Sequence, residues 1–216
     1  CPNIQIFKSY RNAMIENINK PELKLACADN APLQDWYGTT QRLAILDFLL
    51  DSSDLTLPFK EANWPDFLKL SIARGELETR DLIQNFSKMK GETYIELFQN
   101  LLNIIADTRG WSNRRWVGLH EVWIIDFFPL LARTFPNARF LIMFRDPRAI
   151  INSMLGVENI DPSQVVQILS YIRHWRKYVA LTHQYIKSDL FKGRLHVTAH
   201  DLILTKPTET ISKMCN

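Results

Sequence analysis

"ARFLIMFRDPRAIINS", residues 138–153, starts as an apolar run of strand length and turns within three residues into a helix. The run to Phe144 reads as a buried strand. Asp146 is a good N-cap, and Pro147 suits the first helical position, where a missing N–H costs nothing. The free N–H groups of that first turn and the positive end of the dipole favour an anion. Arg145, between strand and cap, adds a permanently charged planar fork suited to bidentate phosphate binding. Ser153, about two turns into the helix, could supply one more donor. A plain structural reading stays open at this point: Arg145 pairs with an acid, Asp146 only caps, and Ser153 is an ordinary helix residue.

Working outward, "IIDFFPLLARTF" (124–135) reads as a helix despite Pro129, and "RWVGLHE" before it as a short strand over 116–119. Two strands joined through a helix imply a parallel crossover. Downstream, Asp161 as cap and Pro162 at the first position open a long helix. Its Val165, Ile168, Leu169, Ile172, Trp175, Val179 and Ile186 form the expected core stripe, with Arg173, Arg176 and Lys177 on a solvated face. "RLHVTAHDL" holds a last strand, and a further helix opens near Pro207.

Residues 4–18 read as a helix ending before Pro21, "LKLACA" (23–28) as a buried strand, and "TTQRLAILDFLL" (39–50) as a helix. From 65 to 109 the pattern is helical, with Tyr94, Leu97, Phe98, Leu101, Leu102 and Ile105 at three- and four-residue steps, so a helical insertion is expected there. Alternating strands and helices specify an α/β fold with a parallel sheet flanked by helices on both faces. Ligands of such sheets bind beyond the carboxyl ends of the strands, where Arg145 should lie.

The 216 residues, 46% hydrophobic and 23% charged, suit a single globular domain over 1–216. The chain starts at Cys1 and stops at Asn216 inside a helical pattern, as a fragment would. A net charge of +3 favours an anionic small ligand and is too dispersed to argue for nucleic acid. No apolar stretch approaches the roughly 20 residues of a membrane span. Cys1, Cys27 and Cys215 have no metal or redox spacing, and "LHEVW" lacks the second His of a zinc motif, so no metal site is expected.

A strand followed by Arg145-Asp146-Pro147-Arg148, with Ser153 eight residues after Arg145, resembles the 3′-phosphate-binding segment of the sulfotransferase family. The flanking order is also similar: "FPNARF" leading the strand, a long helix containing Trp175, then a strand ending in "HDL" and a Pro-led helix. His200 departs from the pattern, standing where many members have Glu. The resemblance implies a P-loop-NTPase-like fold, with 3′-phosphoadenosine 5′-phosphosulfate (PAPS) as co-substrate and no metal. It also implies that Arg145 and Ser153 hold the 3′-phosphate.

The family's second signature is a 5′-phosphosulfate loop, a strand followed by a basic residue, Ser-Gly-Thr-Thr and a helix. In "DWYGTTQRLAILDFLL" Gly38, Thr39 and Thr40 match, about a hundred residues before Arg145, while Asp35, Trp36 and Tyr37 replace the basic and serine positions. Gly38 would let backbone approach the ligand, and Thr39 and Thr40 would supply hydroxyls and N–H groups at a helix start. Ordinary helix capping explains the same residues.

Sulfuryl transfer needs in-line positioning, charge stabilisation and a base for the acceptor proton. By similarity to the family Glu61 in "LPFKEANW" matches the base, and His120 with Glu121 is a second candidate pair. A surface carboxylate at Glu61 and a structural polar pair at 120–121 are the alternatives. The activity implied is transfer to a hydroxyl or amine of a small-molecule or carbohydrate acceptor. A nucleotide-binding but catalytically inactive relative is the competing reading, motivated by the missing loop cation. Cytosolic and Golgi-type members share these motifs, which leaves the compartment open with the cytoplasm favoured.

Overall fold

The computed structural model describes residues 55–60, 88–111, 115–120, 122–157 and 165–215, with Ile6, Ser9, Tyr10, Ala13, Gln84, Asn85 and Asn113. The expected strand at 23–28, the helix at 39–50 and the cap at Asp161 and Pro162 lie outside these residues. The described residues fall into two compact units, the first running to Leu130 and the second starting at Leu131.

In the first unit the expected helical periodicity is realised as α1 (Tyr94–Thr108), which buries Tyr94, Leu97, Phe98, Leu101 and Ile104. Thr93 caps it by accepting from the Glu96 N–H, and the Glu96 carboxylate in turn accepts from the Glu92 N–H at 2.8 Å. Tyr94 centres this core. Its ring lies edge-on to Tyr10 at 5.2 Å and to Phe59 at 5.4 Å, and its hydroxyl is 2.9 Å from Ser9 Oγ. Ile6 and Tyr10, one helical turn apart and helical as expected, are fully buried. Of the rest of the 65–109 expectation, Gln84 and Asn85 are helical, whereas 88–93 do not form an α-helix and Thr93 instead makes an antiparallel bridge to Pro58; the remaining residues up to 87 lie outside the described ones.

The strand expected over 116–119 does not form: the stretch is irregular, and Trp116 is half exposed. A strand exists only through its ladder partner, and no described residue pairs with this segment, whose Gly118 weakens it further. The crossover expected between 116–119 and 138–144 is therefore replaced by a different parallel pair, described below. "IIDFFPLLARTF" is helical in two pieces, a 3₁₀ turn over Val122–Phe127 and then α2 (Phe128–Thr134). Pro129 is accommodated because it falls in the first turn of α2, where its N–H would have no intrahelical acceptor.

The second unit is built on β1 (Phe140–Phe144), followed by α3 (Pro147–Val157), α4 (Val165–Lys187), a 3₁₀ turn at Asp189–Phe191, and β2 (Leu195–Ala199). Then come α5 (His200–Thr205) and α6 (Pro207–Cys215), the latter opening on Pro207 as expected. β1 and β2 are parallel in the register Phe140↔Leu195 to Phe144↔Ala199. The fold is mixed α/β, mostly helical, with a parallel two-stranded sheet among the described residues.

One face of β1 is sealed by aromatic contacts: Phe140 against Phe191 at 5.3 Å and Phe144 against Tyr178 at 5.5 Å, with Ile142 buried between them. Cover on both faces was the expectation, but alternate residues Leu141 and Met143 are exposed. Gly193, at φ +71°, makes the left-handed turn that feeds β2. Arg194, next to it, donates to the carbonyls of Ala132, Phe135, Pro136 and Leu190, tying the end of α2 to the start of β2.

The long helix α4 turns a different face inward from the one its hydropathy suggests. Lys177, Leu181 and Tyr185, spaced by four, are buried, while Leu169 is 44% and Ile186 61% exposed. Lys177, expected on a solvated face, is fully buried, one turn before Leu181 on the same buried row of the helix. The tyrosines, which a hydropathy stripe undervalues, set this orientation by packing on Phe144 and Phe191.

His174 shares this environment. Burial, and secondarily the charge of Lys177, pushes its pKa down to about 4. A histidine whose folded pKa lies below its unfolded value of about 6.5 is bound by fewer protons in the native state. Stability is therefore retained above pH 6.5 and lost progressively as pH falls toward 4. Urea unfolding should show a loss of about 1–2 kcal/mol between pH 7 and pH 5 from this residue. In His174→Gln that part of the pH dependence should vanish, whatever the variant's own stability.

Candidate functional site

The distinctive feature of the second unit is the exit of β1. The strand ends at Phe144, Arg145 and Asp146 are irregular, and α3 starts at Pro147. Asp146 caps the helix as the sequence suggests, its Oδ1 accepting from the Arg148 N–H at 2.8 Å while its carbonyl accepts from the Ile150 N–H at 3.0 Å. Its carboxylate is also gripped by the Arg148 side chain, whose Nε lies 3.0 Å from Oδ1 and whose Nη2 donates to Oδ2. These bonds hold the Asp146 pKa down to about 2. The cap is thus charged at any ordinary pH, and its contribution fades only as pH drops from about 4 toward 2.

This arrangement answers the structural alternative for Arg145. Its neighbouring acid is engaged by Arg148, and Arg145 itself is exposed, with no ion pair among the described residues. A guanidinium held at a strand's carboxyl end, beside the N–H groups of a new helix, is suited to an anion. Ser153, six residues after Pro147 and about 9 Å along the axis, is exposed on the same helix. Arg145 and Ser153 therefore belong to one continuous strand–helix element.

A sequence model of the sulfotransferase family matches residues 51–216. The chain belongs to the sulfotransferase family. No curated protein and no solved structure matches it. The family match contains the whole β1–α3 junction and stops short of Gly38, Thr39 and Thr40. As a sulfotransferase, the chain carries its best-formed candidate anion site inside the matched region.

Of the other residues singled out by sequence, Gly38, Thr39, Thr40, Glu61 and Glu121 lie outside the described residues. His120 is exposed at the end of the irregular stretch 116–120, so it does not follow a strand as expected. Among the described residues no group of His, Cys, Asp and Glu could hold a metal, and no helix is long and apolar enough to cross a membrane.

Sequence reasoning placed Trp175 in the core stripe and missed its relation to the site. Its indole Nε1–H donates to the Arg145 carbonyl at 3.3 Å. One turn on, Tyr178 packs edge-on against Phe144, ring centroids 5.5 Å apart. Burial raises the Tyr178 pKa, which keeps it a neutral phenol. The helix α4 thus touches two successive residues of the strand exit, Phe144 and Arg145. Spacing along the chain carries no trace of such a contact, which joins residues thirty positions apart.

Proposed function

We propose that this sulfotransferase moves a sulfuryl group from PAPS to a hydroxyl or amine of a small-molecule or carbohydrate acceptor. The observation that carries this reading is the exposed Arg145 guanidinium at the β1–α3 junction, its neighbouring carboxylate already taken by Arg148. In the proposal Arg145 and Ser153 bind the 3′-phosphate of the donor, while Gly38, Thr39 and Thr40 meet the 5′-phosphosulfate. The acceptor oxygen or nitrogen attacks sulfur in line as the bond from sulfur to the bridging phosphate oxygen breaks, and the nucleotide leaves as 3′-phosphoadenosine 5′-phosphate. Glu61 takes the acceptor proton, with His120 and Glu121 as the second candidate pair. Positioning and charge stabilisation supply the rest of the rate.

Calorimetric titration with 3′-phosphoadenosine 5′-phosphate, beside AMP, tests the donor assignment. The 3′-phosphate should improve affinity by at least about a hundredfold, since it adds a charge-assisted bidentate contact. Equal affinity for the two nucleotides would overturn the assignment. A second reading, donor binding without turnover, rests on Asp35, Trp36 and Tyr37 standing where the family has a basic residue and serine. Transfer of labelled sulfate from PAPS to any member of an acceptor panel would exclude it.

A further inference from the structure

We propose that Trp175 is a positioning residue for the 3′-phosphate site, acting through the main chain of Arg145; the inference rests on the donor reading above. Arg145 follows the last residue of β1, so no ladder bond of the sheet reaches its carbonyl in the register Phe140↔Leu195 to Phe144↔Ala199. The direction of a side chain at such a point is set by the φ and ψ of its own residue, and these are free to vary unless the flanking peptides are held. The peptide before Arg145 is held by the Phe144 side chain under Tyr178. The peptide after it begins with the carbonyl that receives the Trp175 indole N–H at 3.3 Å, and it ends at the Asp146 cap.

Trp175 and Tyr178, three residues apart on one face of α4, therefore fix the two sides of Arg145 from a single rigid element. The guanidinium stays in solvent, ready for an anion, while its backbone is pre-aimed. Pre-aiming matters most for a planar fork, which gains its second hydrogen bond only if the plane is right. Trp175 touches no part of the donor in this proposal.

Trp175→Phe keeps the ring and removes the donor. Losing one neutral hydrogen bond that aims Arg145 should weaken 3′-phosphoadenosine 5′-phosphate by about five- to tenfold. AMP, which has no 3′-phosphate to meet Arg145, should bind the variant as it binds the wild type. In an Arg145→Ala background, Trp175→Phe should change affinity less than about twofold, because the two act as one unit. A merely structural tryptophan would instead weaken both nucleotides alike and add its effect to that of Arg145→Ala.

The unmodified protein offers a second readout that does not depend on the variant folding. Exchange of the Trp175 indole proton, followed by NMR, should slow on adding 3′-phosphoadenosine 5′-phosphate and not on adding AMP. If the wild type prefers the 3′-phosphorylated nucleotide, yet Trp175→Phe keeps the whole preference or the indole proton responds equally to both ligands, the positioning role is wrong and the donor reading stands. If the wild type shows no preference, the donor reading itself fails, and this inference with it.

Discussion

Arg145→Ala should lower the affinity for 3′-phosphoadenosine 5′-phosphate by at least about a hundredfold while changing that for AMP less than about threefold. The expectation follows from the isolation of the guanidinium. Asp146 is committed to Arg148 and to the helix cap, so Arg145 has no competing ion pair among the described residues that a phosphate would have to displace. The variant should also fold normally, because the site's local order comes from the backbone bonds of Asp146 and the packing of Phe144, neither of which uses the Arg145 side chain. Arg145→Lys should fall between, since it keeps the charge and loses the fork. Raising salt should weaken wild-type binding more than that of Arg145→Ala. A fully active Arg145→Ala, or equal losses for both nucleotides, would move the anion site elsewhere.

Arg194→Met should destabilise the protein by about 3 kcal/mol, because one part-buried fork that serves four main-chain carbonyls is removed and those carbonyls are left to partial solvation. The acceptors belong to Ala132, Phe135, Pro136 and Leu190, which are brought together by no secondary-structure ladder. The same residue's carbonyl accepts from the Phe140 N–H at 2.8 Å, so its side chain and main chain lock both ends of the first turn of the sheet. For a chain of this length the melting temperature should drop by about 6–12 °C. Lysine should restore little, as a single ammonium cannot span carbonyls arranged around a planar fork. A shift under about 2 °C would mean that solvent replaces these bonds at no cost.

Both results concern residues whose importance was unevenly legible. Arg145 was readable because its neighbours Asp146 and Pro147 carry strong local preferences: a carboxylate that caps and a ring that suits a first helical position. Local chemistry of that sort survives in the finished structure, as does the helix at Tyr94–Thr108, whose apolar steps match its buried face. Arg194 was invisible, since nothing in "KGRLHV" says that four carbonyls from two other segments converge there.

The failures have a common cause. Residues 116–119 have strand-like composition, yet they remain irregular, because a strand is defined by a partner across the ladder and not by its own residues. Lys177 was assigned to water by its charge and is fully buried, because α4 carries two apolar rows and the aromatic contacts of Tyr178 and Tyr185 decide which row faces inward. Trp175 shows the same limit, its meaning coming from a hydrogen bond across thirty residues.

By itself, then, the sequence determined what depends on neighbours within a turn or two: the capped junction at Asp146 and Pro147, the strand at Phe140–Phe144 and the helices at Tyr94 and Pro207. Tertiary structure alone decided which strands pair, which face of α4 is buried and which side chain holds the Arg145 carbonyl. The physical reason is that capping and helix periodicity are short-range, whereas ladder pairing, burial and cross-element hydrogen bonds are settled by competition among surfaces that only the folded chain brings together.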